Sequence, residues 1–200
     1  MGWPAPVTLS GRHVTLEPLA IDHQMQLQEA ASDGRLWELW YTSIPTVDGM
    51  AAEVARRLAL QEKESMLPFA VRDLDSGRLV GMTTYMNIDA THRRLEIGST
   101  WYARSVQRTA VNTECKRLML GHAFETLDAV AVEFRTSYFN HASRNAILRL
   151  GAKQDGILRS HSRHADGSLR DTCVYSIVAA EWPAVQQHLT YQLTRLRHEA

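Results

Sequence analysis

The sequence predicts an α/β fold, a mixed and largely antiparallel central sheet flanked by helices. Three observations carry this. Apolar residues alternate with polar ones in short segments along the chain, and between those segments apolar residues recur at helical spacing. In addition, a strand that starts near Glu96 and reaches Tyr102 runs through a short polar turn directly into a helix.

Taken in order, Val14 and Leu16 alternate with Thr15 and Glu17 in a strand over residues 7–17, which Pro18 ends. Residues 21–31 read as a helix. Asp33-Gly34 opens a connector that carries Trp37, Trp40 and Tyr41 and closes at Pro45. A second helix, 50–63, follows with Val54, Leu58 and Leu60. From Pro68 the pattern changes to Phe69 and Val71, the turn Asp75-Ser76-Gly77, and a strand over 79–86, which together read as a hairpin. Asp89 to Arg94 turns the chain into a fourth strand, 95–102. The helix from about Ala110 places Val111, Cys115, Leu118 and Met119 on one face, which must be buried. A strand over 129–136 alternates Val130, Val132 and Phe134 with small or charged residues, and a helix over 142–150 stops at Gly151. Strands at 156–160 and 172–178 flank the turn Asp166-Gly167. A terminal helix, 182–197, carries Pro183 in its first turn.

With 200 residues and no repeat, linker or low-complexity run, the chain is expected to form a single domain over 1–200. Twenty-two basic and twenty-two acidic residues leave no net charge, so neither nucleic acid nor an acidic membrane is an expected partner. Cys115 and Cys173 fall inside a helix and a strand, where cysteine behaves as a small buried hydrophobe, and a reducing cytoplasm is the expected location. Met1-Gly2-Trp3-Pro4 has neither the basic start nor the apolar run of a secretory signal, and Pro6 breaks a myristoylation motif. No uncharged stretch is long enough for a membrane span.

The junction from Glu96 to Glu114 is where an anion would bind. A helix N-terminus presents backbone N–H groups without intrahelical partners and the positive end of the helix dipole, which together suit a phosphate. Nine histidines invite a metal reading, but His161 and His164 lack a third ligand at supporting spacing, so they are expected at the surface with no metal. No three-glycine fingerprint follows the first strand, which argues against a dinucleotide-binding oxidoreductase.

The order of elements, with Gln107-Arg108-Thr109-Ala110-Val111-Asn112 at the turn, resembles the GNAT superfamily of acetyl-CoA-dependent N-acetyltransferases. The branch it resembles is that of the ribosomal-protein N-terminal acetyltransferases. Arg12 to Pro18, Glu96-Ile97-Gly98, Asn140-His141-Ala142-Ser143, Leu150-Gly151-Ala152, Arg170-Asp171-Thr172, Tyr175-Ser176 and Glu181-Trp182-Pro183 extend the resemblance over nearly the whole chain. The superfamily pattern is Gln or Arg, two of any kind, Gly, any, then Gly or Ala, and this chain departs from it with Ala110 and Asn112 in the last two specified positions. Their backbone must therefore keep ordinary helical angles or carry strain.

The resemblance implies acetyl-CoA as donor and an amine-bearing acceptor, either a small molecule or a protein N-terminus. It places the pyrophosphate on Gln107, Arg108, Thr109, Ala110, Val111, Asn112 and Thr113. An alkyl amine is mostly protonated at neutral pH, so a carboxylate or an ordered water must take its proton. Glu96 is the candidate base, against the alternative of a solvent-facing strand glutamate. Backbone N–H groups of a splayed or bulged strand over 100–102 are the candidate oxyanion donors, with Trp101 and Tyr102 either flanking the cofactor arm or packing in the core. Asn140 matches the position that hydrogen-bonds that arm and is equally a good helix cap. Ser143 stands where relatives place a hydroxyl for the leaving thiolate, or is an ordinary first-turn serine. The superfamily's usual tyrosine acid is replaced by Ile147, Leu148 and Arg149, which leaves Tyr138 as a substitute. Trp37, Trp40 and Tyr41 either wall the acceptor pocket or pack the connector down. A CoA-binding regulatory module with little turnover is the alternative function, and the terminal helix is a candidate homodimer contact.

Overall fold

The structure, a computed structural model, describes residues 3–164 and 166–195. Its strands are β1 (Leu9–Ser10), β2 (Val14–Pro18), β3 (Met66–Asp73), β4 (Leu79–Asp89), β5 (Arg94–Tyr102), β6 (Ala131–Ser137), β7 (Lys153–Arg163) and β8 (Leu169–Val178). Its helices are α1 (Gln24–Ser32), α2 (Met50–Glu62), α3 (Ala110–Gly121), α4 (His141–Arg149) and α5 (Trp182–Arg195). The strands make one sheet in the order β1-β2-β3-β4-β5-β6-β8-β7, and only β5 with β6 runs parallel. α3, extended by a π-helical turn at His122–Thr126, is the crossover that a parallel pair requires.

The single strand expected over 7–17 is two strands, with Leu9 opposite Leu16 and Ser10 opposite Thr15. The break has a distant cause. Glu114 on α3 turns its carboxylate onto this bend, where it accepts from the backbone N–H groups of Arg12 (3.0 Å), His13 (2.5 Å) and Val14 (3.0 Å). A Cβ on Gly11 would lie 2.5 Å from that carboxylate, so glycine is required for the close approach. The segment after Pro18 begins with a 3-10 turn, Ile21–His23, before α1 proper. β7 is longer than the expected 156–160 and largely exposed, as befits the outer strand of the sheet. Met1 and Gly2, and residues 196 and 197 of the expected terminal helix, lie outside the described residues.

Alternation along β4 assigns the two faces. Tyr85 is fully buried, donates to the Met119 carbonyl at 2.6 Å and meets Phe69 edge to face at 5.6 Å, so Thr83 and Tyr85 face α3. Thr84 points the opposite way and accepts from Arg57 of α2 at 2.8 Å. Most of the apolar core fills the space between these helices and the sheet.

Candidate active site

β5 and β6 pair at three positions: Arg94 with Ala131, Leu95 with Val132 and Glu96 with Glu133. Beyond Glu96 the two strands continue to Tyr102 and Ser137 without a shared register, so the sheet splits and the β6-facing edge of β5 has no strand partner among the described residues. A ligand with amide groups can use such an edge as another strand would. β5 is also bulged there. Gly98 pairs with Thr84 and Trp101 with Met82, so Ser99 and Thr100 both oppose Thr83. Ser99 sits in the left-handed region at φ 48°, a strained state for a side chain-bearing residue. The bulge falls one residue before the expected 100–102 segment.

Two buried cations brace it. Arg57 donates to the Ser99 carbonyl at 3.1 Å, to Thr84 Oγ1 at 2.8 Å and to Glu53 Oε1 at 2.7 Å. Lys116 donates to Thr100 Oγ1 at 2.9 Å and to Thr83 Oγ1 at 3.0 Å. Neither was expected at a site. Charged residues within a helix pattern ordinarily read as solvated, and only the fold shows them directed at the sheet.

Glu96 stands where the strands part and is 5% exposed, so it is not a solvent-facing glutamate. Its Oε2 accepts from Asn87 Nδ2 at 2.7 Å and lies 3.6 Å from Arg135 Nε. Burial raises its pKa above the ordinary carboxylate range, although the Asn87 hydrogen bond and the charges of Arg135 and Arg170 work against that rise. Burial also acts on its neighbour Glu133, but hydrogen bonds from Arg94 and Arg135 outweigh it and hold that carboxyl below the usual value. Two adjacent carboxylates are thus pushed apart.

At the turn, Ala110 and Asn112 keep helical angles, and the left-handed residue is Arg108 at φ 65°. Thr109 is the N-cap of α3; its Oγ1 accepts from the Val111 N–H at 3.3 Å and donates to the Val106 carbonyl at 2.7 Å. Gln107 Nε2 donates to the Tyr102 carbonyl at 3.1 Å and ties the turn to the end of β5. Gln107, Arg108 and Thr109 are exposed and Ala110 and Asn112 half-buried, whereas the side chains of Val111 and Thr113 are in the core and leave only their backbone for a ligand.

Trp101 and Tyr102 are both buried, with the Tyr102 phenol beside Cys115 and the Trp101 Nε1 without a hydrogen-bond partner among the described residues. Asn140 caps α4, its Oδ1 accepting from the Ser143 N–H at 3.0 Å. Ser143 is half-buried. Tyr138 is exposed, with the Arg144 guanidinium 4.8 Å from its ring centre. Trp40 is the centre of an aromatic cluster, 5.7 Å from Tyr41, 5.5 Å from Phe139 and 5.2 Å from His164. It joins the α1–α2 connector to the end of β6 and to the β7–β8 turn. Trp37 is half-buried and makes no ring contact with this cluster among the described residues. His164 is therefore half-buried against Trp40 rather than a surface residue, while His161 is exposed and lies 3.2 Å from Thr172 Oγ1. Among the described residues no group of three or more His, Cys, Asp or Glu could hold a metal ion.

Residues 13–153 match the acetyltransferase (GNAT) domain family. YdaF of Bacillus subtilis (strain 168), a protein named as a ribosomal N-acetyltransferase, is 30% identical over 109 residues; the match spans 54% of this chain and 58% of that protein. Among solved structures, a GCN5-related N-acetyltransferase from Brucella melitensis is 30% identical with a TM-score of 0.85, covering 95% of this chain and 86% of that one. The Mycobacterium smegmatis RimJ structure in complex with CoA-disulfide shares the fold, with a TM-score of 0.79 at 21% identity over 94% of this chain and 95% of that one. The chain belongs to the GNAT acetyltransferase family.

Proposed function

We propose that the protein transfers an acetyl group from acetyl-CoA to a primary amine by direct attack within a ternary complex. The observation that carries this is the placement of Glu96, a buried carboxylate of raised pKa at the point where β5 and β6 separate. Acetyl-CoA supplies the thioester carbonyl that the amine attacks.

The residues present suit that donor. Arg108, Thr109 and the first-turn N–H groups of α3 offer the pyrophosphate a guanidinium, a hydroxyl and the positive end of a helix dipole. The unpaired edge of β5 suits the amides of the pantetheine arm, and Asn140 and Ser143 follow the end of β6 at the start of α4. Glu96 accepts the amine proton, directly or through water. Bulge N–H groups hold the developing oxyanion. Ser143 or Tyr138 gives a proton to the leaving thiolate. The acceptor enters past Trp37, Trp40 and Tyr41, where an aromatic face attracts an ammonium before it is deprotonated.

A protein N-terminus or a small molecule would serve as acceptor, and the similarity to YdaF, named as a ribosomal N-acetyltransferase, favours a ribosomal one. Two free, buried cysteines support cytoplasmic work. The ordinary helical angles at Ala110 and Asn112 speak for turnover over a binding module, because the turn keeps its donors without glycine, while the missing tyrosine acid is the feature that favours the module. Acetyl-CoA binding by calorimetry and CoA release with peptides, polyamines and amino sugars test the reading. Binding followed by CoA release with at least one amine is expected, and binding without release on the whole panel would overturn it.

A further inference from the structure

Lys116 projects from the buried side of α3 and is 6% exposed. It is one of three lysines in a chain with nineteen arginines. Its ammonium meets two threonine hydroxyls, and no carboxylate reaches ion-pair distance among the described residues. Glu114, on the same helix, is committed to the backbone of residues 12–14. Cys115 beside it is pushed up to about 12 by burial, so its thiol stays neutral. The phenols of Tyr85 on β4 and Tyr102 on β5 are raised well above their ordinary value by burial, and burial lowers the pKa of His122 at the end of α3. These surroundings bring no counter-charge.

Packing does not call for an amine here. Thr83 Oγ1 and Thr100 Oγ1 lie 2.8 Å apart and already satisfy each other, so an apolar chain would fill the space without burying a charge. What the amine adds is a charge-assisted bond to Thr100, one of the two bulge residues, and a positive charge behind the strand edge.

We propose that Lys116 is a positioning residue for acetyl transfer: through Thr100 its ammonium fixes the bulge whose backbone N–H groups meet the thioester oxygen, and it places a positive charge behind them. This rests on the acetyl-transfer reading above. Burial brings the Lys116 pKa down to about 8, so the charge is present at neutral pH and lost just above it.

The test compares wild type with Lys116→Met and Thr100→Val. Both variants are expected to lower kcat about tenfold while the KM for acetyl-CoA stays within about twofold, since the interaction matters most when charge develops. Wild-type kcat falls as pH rises through about 8, and Lys116→Met lacks that fall. A second readout needs no turnover. Below about pH 8 the folded chain buries a charge that the unfolded chain solvates, so Lys116→Met melts higher than wild type at pH 7 and its advantage narrows as pH rises further. Carbon-13 labelling of the three lysines should show one that titrates near 8 and shifts when acetyl-CoA is added. Wild-type kcat and an unchanged pH profile in both variants, with wild type itself turning over, would overturn this proposal alone. If Lys116→Met does not fold, Thr100→Val decides by its kcat. A wild type that releases no CoA with any amine overturns the acetyl-transfer reading, and the role of Lys116 with it.

Discussion

Arg57 and Lys116 reach the same two-residue bulge from opposite faces of the sheet. Their anchors on β4 are consecutive, Thr84 for Arg57 and Thr83 for Lys116, and successive strand residues point to opposite sides. On β5, Arg57 takes the Ser99 carbonyl and Lys116 the Thr100 hydroxyl. The left-handed backbone at Ser99 is thereby held by partners that neighbouring strands alone would not supply.

Replacing Arg57 with Met should destabilise the fold by about 2 to 4 kcal/mol, because the Ser99 carbonyl and the Thr84 hydroxyl lose their buried donor. Glu53 limits the loss, since Arg56 still pairs with it at 2.8 Å. Urea unfolding measures the change. A loss below about 0.5 kcal/mol would mean that the bulge holds itself.

Glu96→Gln should lower kcat by about 10²- to 10⁴-fold and remove the rising limb of the pH profile, as expected for loss of a general base. The same substitution should stabilise the protein at neutral pH. Burial raises the carboxyl above its unfolded value, so on raising the pH the unfolded chain loses this proton first and wild-type stability falls through the folded pKa. Below the unfolded pKa both states are protonated and the difference between wild type and variant closes. Melting curves at pH 4 and pH 7 check the sign, and a variant that melts lower at pH 7 would contradict it.

The helices and strands were legible wherever periodicity was strong, and α3 begins at Ala110 as Val111, Cys115 and Met119 require. The interactions at the site were not. Glu114 and Lys116 interrupt that apolar face with charges, and a sequence pattern assigns charges to water. They are buried because partners a hundred residues away for Glu114, and on two strands for Lys116, satisfy them. The same kind of contact breaks the first strand at residues 11–13, because the N–H groups of Arg12, His13 and Val14 turn toward Glu114 instead of a neighbouring strand. From sequence His164 reads as a surface residue, because its contact with Trp40 spans more than a hundred residues of chain. Glu96 was identifiable as a residue, but its burial and its Asn87 partner depend on tertiary packing.

Trp40→Ala should raise the KM for an amine acceptor about three- to tenfold, the range for losing one aromatic face toward an ammonium. Trp40 is 58% exposed, so little burial is lost and stability should move by less than about 1 kcal/mol. A large drop in melting temperature with an unchanged KM would instead make the cluster with Phe139 and His164 a clasp for the connector.

Arg108→Gly separates backbone from side chain at the anion turn. Arginine in the left-handed region costs about 1 kcal/mol or more, and glycine does not, so the fold should hold or gain up to about 1 kcal/mol. If the guanidinium grips a phosphate, the lost charge-assisted bond should weaken acetyl-CoA binding about tenfold or more. Calorimetry and thermal melts should therefore move in opposite directions. Asn112→Gly is the matched comparison. Because Asn112 is already helical, glycine there relieves no strain, and affinity should stay level or fall through loss of helix propensity. A gain in affinity from Asn112→Gly would show that the turn opens on binding and that the asparagine resists it.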